Sequence, residues 1–324
     1  MKIILTGAAG FIGSCMLRKL NDMGHDDVVA VDRLDSSMRW KNLVGKCFSD
    51  YLDAEKLVDT LKETTAIERL MPDMVIHMGA NSATTGADTN EYMENNYRYT
   101  KLLAEACLKN GIPFLYASSA ATYGDGECGF SDDDKVTLNL RPMNMYGYSK
   151  HLFDLWAIRN KVQNTLVGFK FFNVYGPNEY HKGGMMSLIC RKYDDVVREK
   201  TIQLFKSHHP DYKDGEQKRD FIYVKDVVDA MGYFVEHPDK GGIYNLGTGE
   251  AATWNQVVGA LFKALHIPLN VQYVELPEIL RDKYQYFTQA DVSKLRKAGY
   301  TKPFTSLDEA IADYTTYLKV KAFY

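Results

Sequence analysis

Ile3-Ile4-Leu5-Thr6-Gly7-Ala8-Ala9-Gly10-Phe11-Ile12-Gly13 is the stretch that decides the fold. The apolar run closing at Thr6 reads as a buried strand, and Phe11–Met23 reads as a helix. Between them Gly7, Gly10 and Gly13 supply a turn, close backbone approach and tight helix–strand packing. Phe11 and Ile12 begin a helix whose unpaired N–H groups and positive dipole end suit a pyrophosphate. A glycine-rich turn can also serve chain reversal alone. Here a strand precedes it, a helix follows, and the carboxylate of Asp32 closes the next strand, Val28–Asp32, so a dinucleotide is favoured.

Asp32 stands where a carboxylate accepts hydrogen bonds from an adenosine ribose, which taken alone favours NAD. Arg33, Arg39 and Lys41 follow at once and could pair with a 2′-phosphate, which favours NADP. The Gly79-Ala80 turn and Asn96 are further candidates on the cofactor side.

Working outward, Met74–Met78, Phe114–Ser118 and Val167–Phe172 read as strands. Helices are expected at Ala54–Thr64, Glu91–Asn110 and Tyr146–Asn160. Such alternation requires right-handed crossovers and a parallel sheet covered on both faces. The fold class is therefore α/β, a Rossmann-type doubly wound parallel sheet with a smaller α/β substrate lobe. Residues 1–171 make the dinucleotide-binding domain, with returning segments near 217–246 and 284–293. Residues 172–216, 247–283 and 294–324 make the substrate-binding lobe. His208 to Asp220 is polar and turn-rich, and reads as an exposed hairpin or loop. A strand at Phe221–Val224, a helix at Val227–Val235 and a strand at Gly242–Leu246 follow it.

The 324 residues, 45% hydrophobic and 25% charged, suit a soluble globular enzyme with a sizeable core. A net charge of -3 leaves no electrostatic footprint for nucleic acid or an anionic membrane. The five cysteines lack CxxC spacing and read as reduced thiols. His208-His209 are adjacent, not at metal-ligand spacing, so no metal is assigned. No run approaches the ~18 apolar residues of a membrane span, and the N-terminal one is too short for a signal peptide. A cytoplasmic location is expected.

The second informative element is Tyr146-Gly147-Tyr148-Ser149-Lys150, with Ser118-Ser119 upstream. The spacing puts Tyr146 and Lys150 one helical turn apart on one face. A lysine cation there is expected to lower the tyrosine pKa, so that the phenolate takes a hydroxyl proton as hydride leaves. Ser119 would hold the same substrate oxygen. The spacing recurs at Tyr97 and Lys101, which precede the serine strand and read as scaffold.

The runs Phe114–Gly124, Tyr146–Lys150, Asn173-Val174-Tyr175-Gly176-Pro177 and His181-Lys182-Gly183 carry a resemblance. So do Lys218-Arg219-Asp220-Phe221, Asn245–Gly249 and Tyr284–Asp291. Over essentially its whole length the chain resembles the extended short-chain dehydrogenase/reductase superfamily. Within that superfamily it is most similar to the 6-epimerases of ADP-linked glycero-manno-heptose. The resemblance implies an isomerase that inverts C6 of the heptose in ADP-D-glycero-D-manno-heptose through a ketone, with bound NADP holding and returning the hydride. NAD is the other possibility. Hydride returns to the opposite face, so the hydroxyls of the two epimers need not meet the same acid/base, and a second proton-transfer group is expected. The resemblance names Lys182 for it, against a phosphate-binding lysine on a glycine-rich loop.

Asn173, His181, Lys182, Arg219 and Tyr284, with Ser119, are the expected substrate contacts. The resemblance also implies a homo-oligomer, by family a pentamer, whose product enters bacterial lipopolysaccharide. Two departures stand out. Ser36-Ser37-Met38 replaces a glycine-containing turn, and Met78 stands where a carboxylate is expected. The rival readings are another nucleotide-sugar epimerase or dehydratase, or a non-catalytic cofactor-sensing regulator. Ala120-Ala121 after Ser119 lack the acid–base pair of a dehydratase, and the intact Ser119, Tyr146 and Lys150 disfavour a regulator.

Overall fold

The computed structural model describes residues 1–62, 70–84, 86, 88–278 and 285–324. Its first strands are β1 (Ile3–Thr6), β2 (Val28–Asp32), β3 (Asp50–Asp53), β4 (Met74–His77), β5 (Phe114–Ser119) and β6 (Val167–Phe171). They are followed by β7 (Asn173–Tyr175), β8 (Ile202–Phe205), β9 (Lys218–Tyr223), β10 (Gly242–Leu246), β11 (Ala251–Thr253) and β12 (Val271–Val274). Among the described residues, seven strands form one sheet in the order β10-β6-β5-β4-β1-β2-β3, all in parallel register.

The central strands are apolar at successive positions because both faces are covered. Ile3, Leu5, Val28, Ala30, Met74 and Ile76 pack into the core of one face. Their neighbours Ile4, Val29, Val31 and Val75 pack into the core of the other. This is the period-two alternation of a pleated strand, applied to two buried faces. On the first face the helix Phe11–Asp22 lies against Val224–Glu236, and Lys19 Nζ meets Asp229 Oδ1 at 3.0 Å. On the second face Leu103 of the helix Tyr99–Asn110 and Phe153 of Met145–Arg159 fill the core.

Parallel strands bring their carboxyl ends to one edge, so Thr6, Asp32 and Ser119 all end there. A three-stranded sheet, β11-β9-β7, and the parallel pair β12-β8 complete the chain. Of the returning segments, β10 joins the edge of the large sheet and β9 centres the small one.

Two expectations need correction. The long middle helix starts at Thr89 and is interrupted by a π-helical stretch, Met93–Arg98, which carries Asn96. The stretch from His208 to Asp220 is not a loop throughout, because Lys218–Asp220 belongs to β9, and Arg219 and Asp220 are buried. The buried carboxylate is tolerated because it accepts N–H bonds from Thr248, Gly249 and Ala290 and a hydroxyl bond from Thr248. Among the described residues, no helix is long and apolar enough to cross a membrane.

Candidate active site

A cleft runs along the carboxyl edge of the sheet in two adjoining compartments of about 400 and 440 Å³. That is within the range of ligand and cofactor pockets. Gly7, Gly10, Phe11, Ile12 and Gly13 line its floor. Gly7 has φ +69°, a left-handed conformation that suits glycine. A Cβ on Gly13 would lie 1.9 Å from the Gly7 carbonyl oxygen, so the helix can approach the turn only without a side chain there. The first helix has Gly10 at its N-cap and no side-chain cap, leaving its N-terminal end to a ligand. These features fit a dinucleotide pyrophosphate.

The Gly13→Ala variant tests that fit. Alanine ordinarily stabilises a helix over glycine by about 1 kcal/mol, but overpacking against a backbone carbonyl costs about 1–3 kcal/mol and wins. The purified variant is expected to melt lower and to lose its bound nicotinamide, read by release on denaturation. Full cofactor occupancy would refute the close-approach role.

At the carboxyl end of β2, Asp32 is buried. Its Oδ2 accepts the Ala9 N–H at 2.7 Å, and Oδ1 accepts the Arg33 N–H at 2.7 Å. Arg39 Nη1 reaches the same Oδ1 at 3.3 Å. Arg33 reaches out to Glu55 at 3.2 Å. The serine pair that replaces a glycine turn has a structural reason: Ser37 Oγ accepts the Arg39 N–H and caps the 3₁₀ helix Met38–Leu43. Met78 packs against the apolar core and lines the cleft, so no carboxylate is needed there.

Asn96 is fully buried. Its amide donates to the Asn81 carbonyl at 2.9 Å and the Ser149 hydroxyl at 3.0 Å, and its Oδ1 accepts the Asn81 N–H at 2.8 Å. It thereby ties the cleft-lining 80–82 segment to the helix of Tyr146.

That helix starts where Asn144 Oδ1 accepts the Gly147 N–H at 2.8 Å, which puts Tyr146 in its first turn. Tyr146 is hydrogen-bonded to Ser119, at the end of β5, and both line the cleft with Lys150. Lys150 is buried and donates from Nζ to the Ala117 carbonyl at 2.8 Å. Burial lowers its pKa to about 8, against the opposing charge of Asp154. Burial likewise raises Tyr146, with Ser119 partly offsetting it, so the lysine-driven lowering expected from the spacing is not what the protein alone produces. Desolvation of the phenol outweighs it. The second YxxxK copy faces other partners: Lys101 pairs with Glu105 at 3.5 Å and lies over the Trp156 ring.

Lys182 also lines the cleft, with Nζ 5.1 Å from the centre of the Phe11 ring. Burial lowers its pKa, with Glu179 opposing. His181 contacts Asn42 Nδ2 at 3.3 Å, and Asn42 also donates to the Ala9 carbonyl of the glycine turn. Burial, then Arg39 and Lys182, push its pKa to about 4. Asn173 is exposed on β7 and lines the other compartment. Arg219 lies two residues before the cleft-lining Phe221 on β9, so alternation puts both on one face. Tyr284 lies outside the described residues. Sequence reading missed Arg191 and Trp254, which line the far end of the cleft. The only local signals were helix starts, a Ser187 cap before Arg191 and a Thr253–Gln256 capping box around Trp254.

The chain matches the NAD dependent epimerase/dehydratase family over residues 3–247. A Nitratidesulfovibrio vulgaris (strain DP4) protein named ADP-L-glycero-D-manno-heptose-6-epimerase is 51% identical over 314 residues, with 96% of each chain covered. A protein of the same name from Fusobacterium nucleatum subsp. nucleatum is 45% identical, again over 96% of each chain. The crystal structure of the Helicobacter pylori protein of that name is 30% identical, with TM-score 0.82, covering 98% of this chain and 96% of that one.

Proposed function

The chain belongs to the NAD dependent epimerase/dehydratase family, and from that premise we propose that it is an isomerase acting on an ADP-linked heptose. It inverts C6 of ADP-D-glycero-D-manno-heptose to the L-glycero form through a 6-keto intermediate. The observation that carries this reading is one cleft lined by Ser119, Tyr146 and Lys150 together with Lys182. Tyr146 is hydrogen-bonded to Ser119 and lines the cleft with Lys150, and Lys182 lines it over the Phe11 ring. In this reading the two groups serve the hydroxyls of the two epimers, with hydride returned to the opposite face of the carbon. A bound nicotinamide dinucleotide supplies the hydride acceptor that later returns the hydride.

The chain's own residues do the rest. Tyr146 takes the hydroxyl proton of one epimer while Ser119 orients that oxygen. Lys150 stabilises the phenolate. Lys182, its basicity brought closer to neutral by burial, exchanges the proton on the carbon's other side. Asn173 and Arg219 hold the sugar nucleotide, while Arg219 offers a planar fork to a diphosphate. His181 stays neutral beside the dinucleotide.

NADP is the resident cofactor in this reading. Support comes from Asp32, whose two oxygens already accept from Ala9, Arg33 and Arg39. With about four acceptor sites on a carboxylate, it has little left for ribose hydroxyls, and Arg39 compensates its charge. Arg33 and Arg39 remain beside it for a 2′-phosphate. A cytoplasmic homo-oligomer feeding lipopolysaccharide assembly completes the reading, supported by the sequence resemblance.

Proton NMR of ADP-D-glycero-D-manno-heptose with the purified protein and no added cofactor tests it. The L-glycero epimer is expected to appear. No conversion, even with NADP or NAD supplied, would rule out the heptose substrate.

A further inference from the structure

On the helix Met145–Arg159, Tyr146, Lys150 and Asp154 recur every four residues and share one face. Asp154 is fully buried, at 0% exposure, as is Lys170 of β6, whose Nζ lies 3.4 Å from Asp154 Oδ2. The carboxylate also accepts the Tyr116 hydroxyl at 2.9 Å and the Ser118 hydroxyl at 2.7 Å, both from β5. Lys170 Nζ donates to Thr122 Oγ1 at 3.0 Å and sits 4.7 Å from the centre of the Tyr123 ring. Thr122 in turn donates to the Ser119 carbonyl at 2.8 Å. Ser119 is thus held from both sides, through Ser118 by Asp154 and through Thr122 by Lys170.

Taking two charges fully out of water costs about as much as their attraction returns, and an apolar pair of similar volume is often as stable. The attraction between the two charges therefore does not by itself account for this pair.

We propose that the buried Asp154–Lys170 pair is a positioning device that locks Ser119, Tyr146 and Lys150 into one geometry and sets the charge environment in which they work. Neither residue lines the cleft. Only the reaction used to measure the effect rests on the epimerase reading.

The groups facing the pair are Lys150 and His151 on its own helix, Tyr116 on β5, Tyr123 and Asp132 after β5, and Lys294 from the helix Ser293–Lys297. Burial pushes His151 down to about 4 and Asp132 up to about 6, so neither titrates on the alkaline side. Lys150, at about 8, does. Asp154 raises Lys150, so Asp154→Asn lowers it further, and the alkaline limb of the kcat profile moves to lower pH. Lys170→Met leaves the carboxylate less compensated, so Lys150 rises and the limb moves to higher pH. Each displacement is expected to be on the order of one pH unit.

The experiment combines these variants with Lys170→Arg and the apolar pair Asp154→Leu/Lys170→Met. In Asp154→Asn, kcat is expected to fall about 100-fold with KM nearly unchanged, since misplacement of the reacting groups is what is lost. Lys170→Arg is expected to keep the wild-type profile. The apolar double variant is expected to fold but to melt lower, because the buried Tyr116 and Ser118 hydroxyls lose their acceptor, and to remain about 100-fold slow. It decides the matter if the single variants do not fold.

Wild-type turnover in the double variant, or limbs that stay put or move together in the two single variants, would overturn the proposal. The pKa of Lys150 is read in parallel by pH-dependent reductive methylation and mass spectrometry, which needs no substrate. If wild-type protein fails to convert the heptose, the epimerase reading falls, and the methylation shifts still decide the role of the pair.

Discussion

Tyr146→Phe is expected to reduce kcat for heptose epimerisation by about 10²–10⁴-fold, the range for loss of a positioned acid/base, while leaving the fold intact. The substitution removes one oxygen from a ring that keeps its volume. Its hydroxyl partner, Ser119, retains the Ala121 N–H at 3.1 Å, so no polar atom is stranded. A melting temperature near wild type together with lost conversion by NMR would assign the proton transfer to this phenol. A kcat within tenfold of wild type, with the variant folded, would remove Tyr146 from the chemistry.

Lys182→Met separates the two halves of the reaction. Methionine keeps most of the lysine stem's volume over Phe11 and removes only the ammonium. Net epimerisation is expected to fall by at least about 10²-fold. One epimer should still be oxidised through Tyr146, so adding it should raise the reduced-nicotinamide absorbance, whereas adding the other should not. Absorbance rising equally with both epimers, or unimpaired turnover, would return Lys182 to a binding role.

How much was legible differs from residue to residue. Gly7, Gly10 and Gly13 could be read because each answers a local steric demand, and the cleft floor they form follows directly. Tyr146 and Lys150 could be read because helical periodicity places them. The protonation tendencies could not. Lys150 promised a lowered tyrosine, yet burial raises Tyr146 and lowers Lys150 itself, because desolvation depends on what packs around a group. Arg219 and Asp220 looked like polar loop residues. Both are buried on β9, and burial of the Asp220 carboxylate is tolerated because Thr248, Gly249 and Ala290, distant in the chain, bring it hydrogen-bond donors. His181 and Lys182 are adjacent in sequence but meet different surroundings, Asn42 for one and the Phe11 ring for the other.

By itself, then, the amino-acid order determined the doubly wound sheet, the glycine cradle and the tyrosine–lysine face. All three follow from short-range rules: apolar runs, missing side chains and a four-residue helical repeat. Only the tertiary structure decided that Lys182 shares one cleft with Tyr146 and that Arg39 compensates Asp32. It also decided that Asp154 and Lys170 close a buried network behind Ser119. Charges and acidities inside a protein are set by long-range neighbours and by exclusion of water, and neither is written in the residues next along the chain.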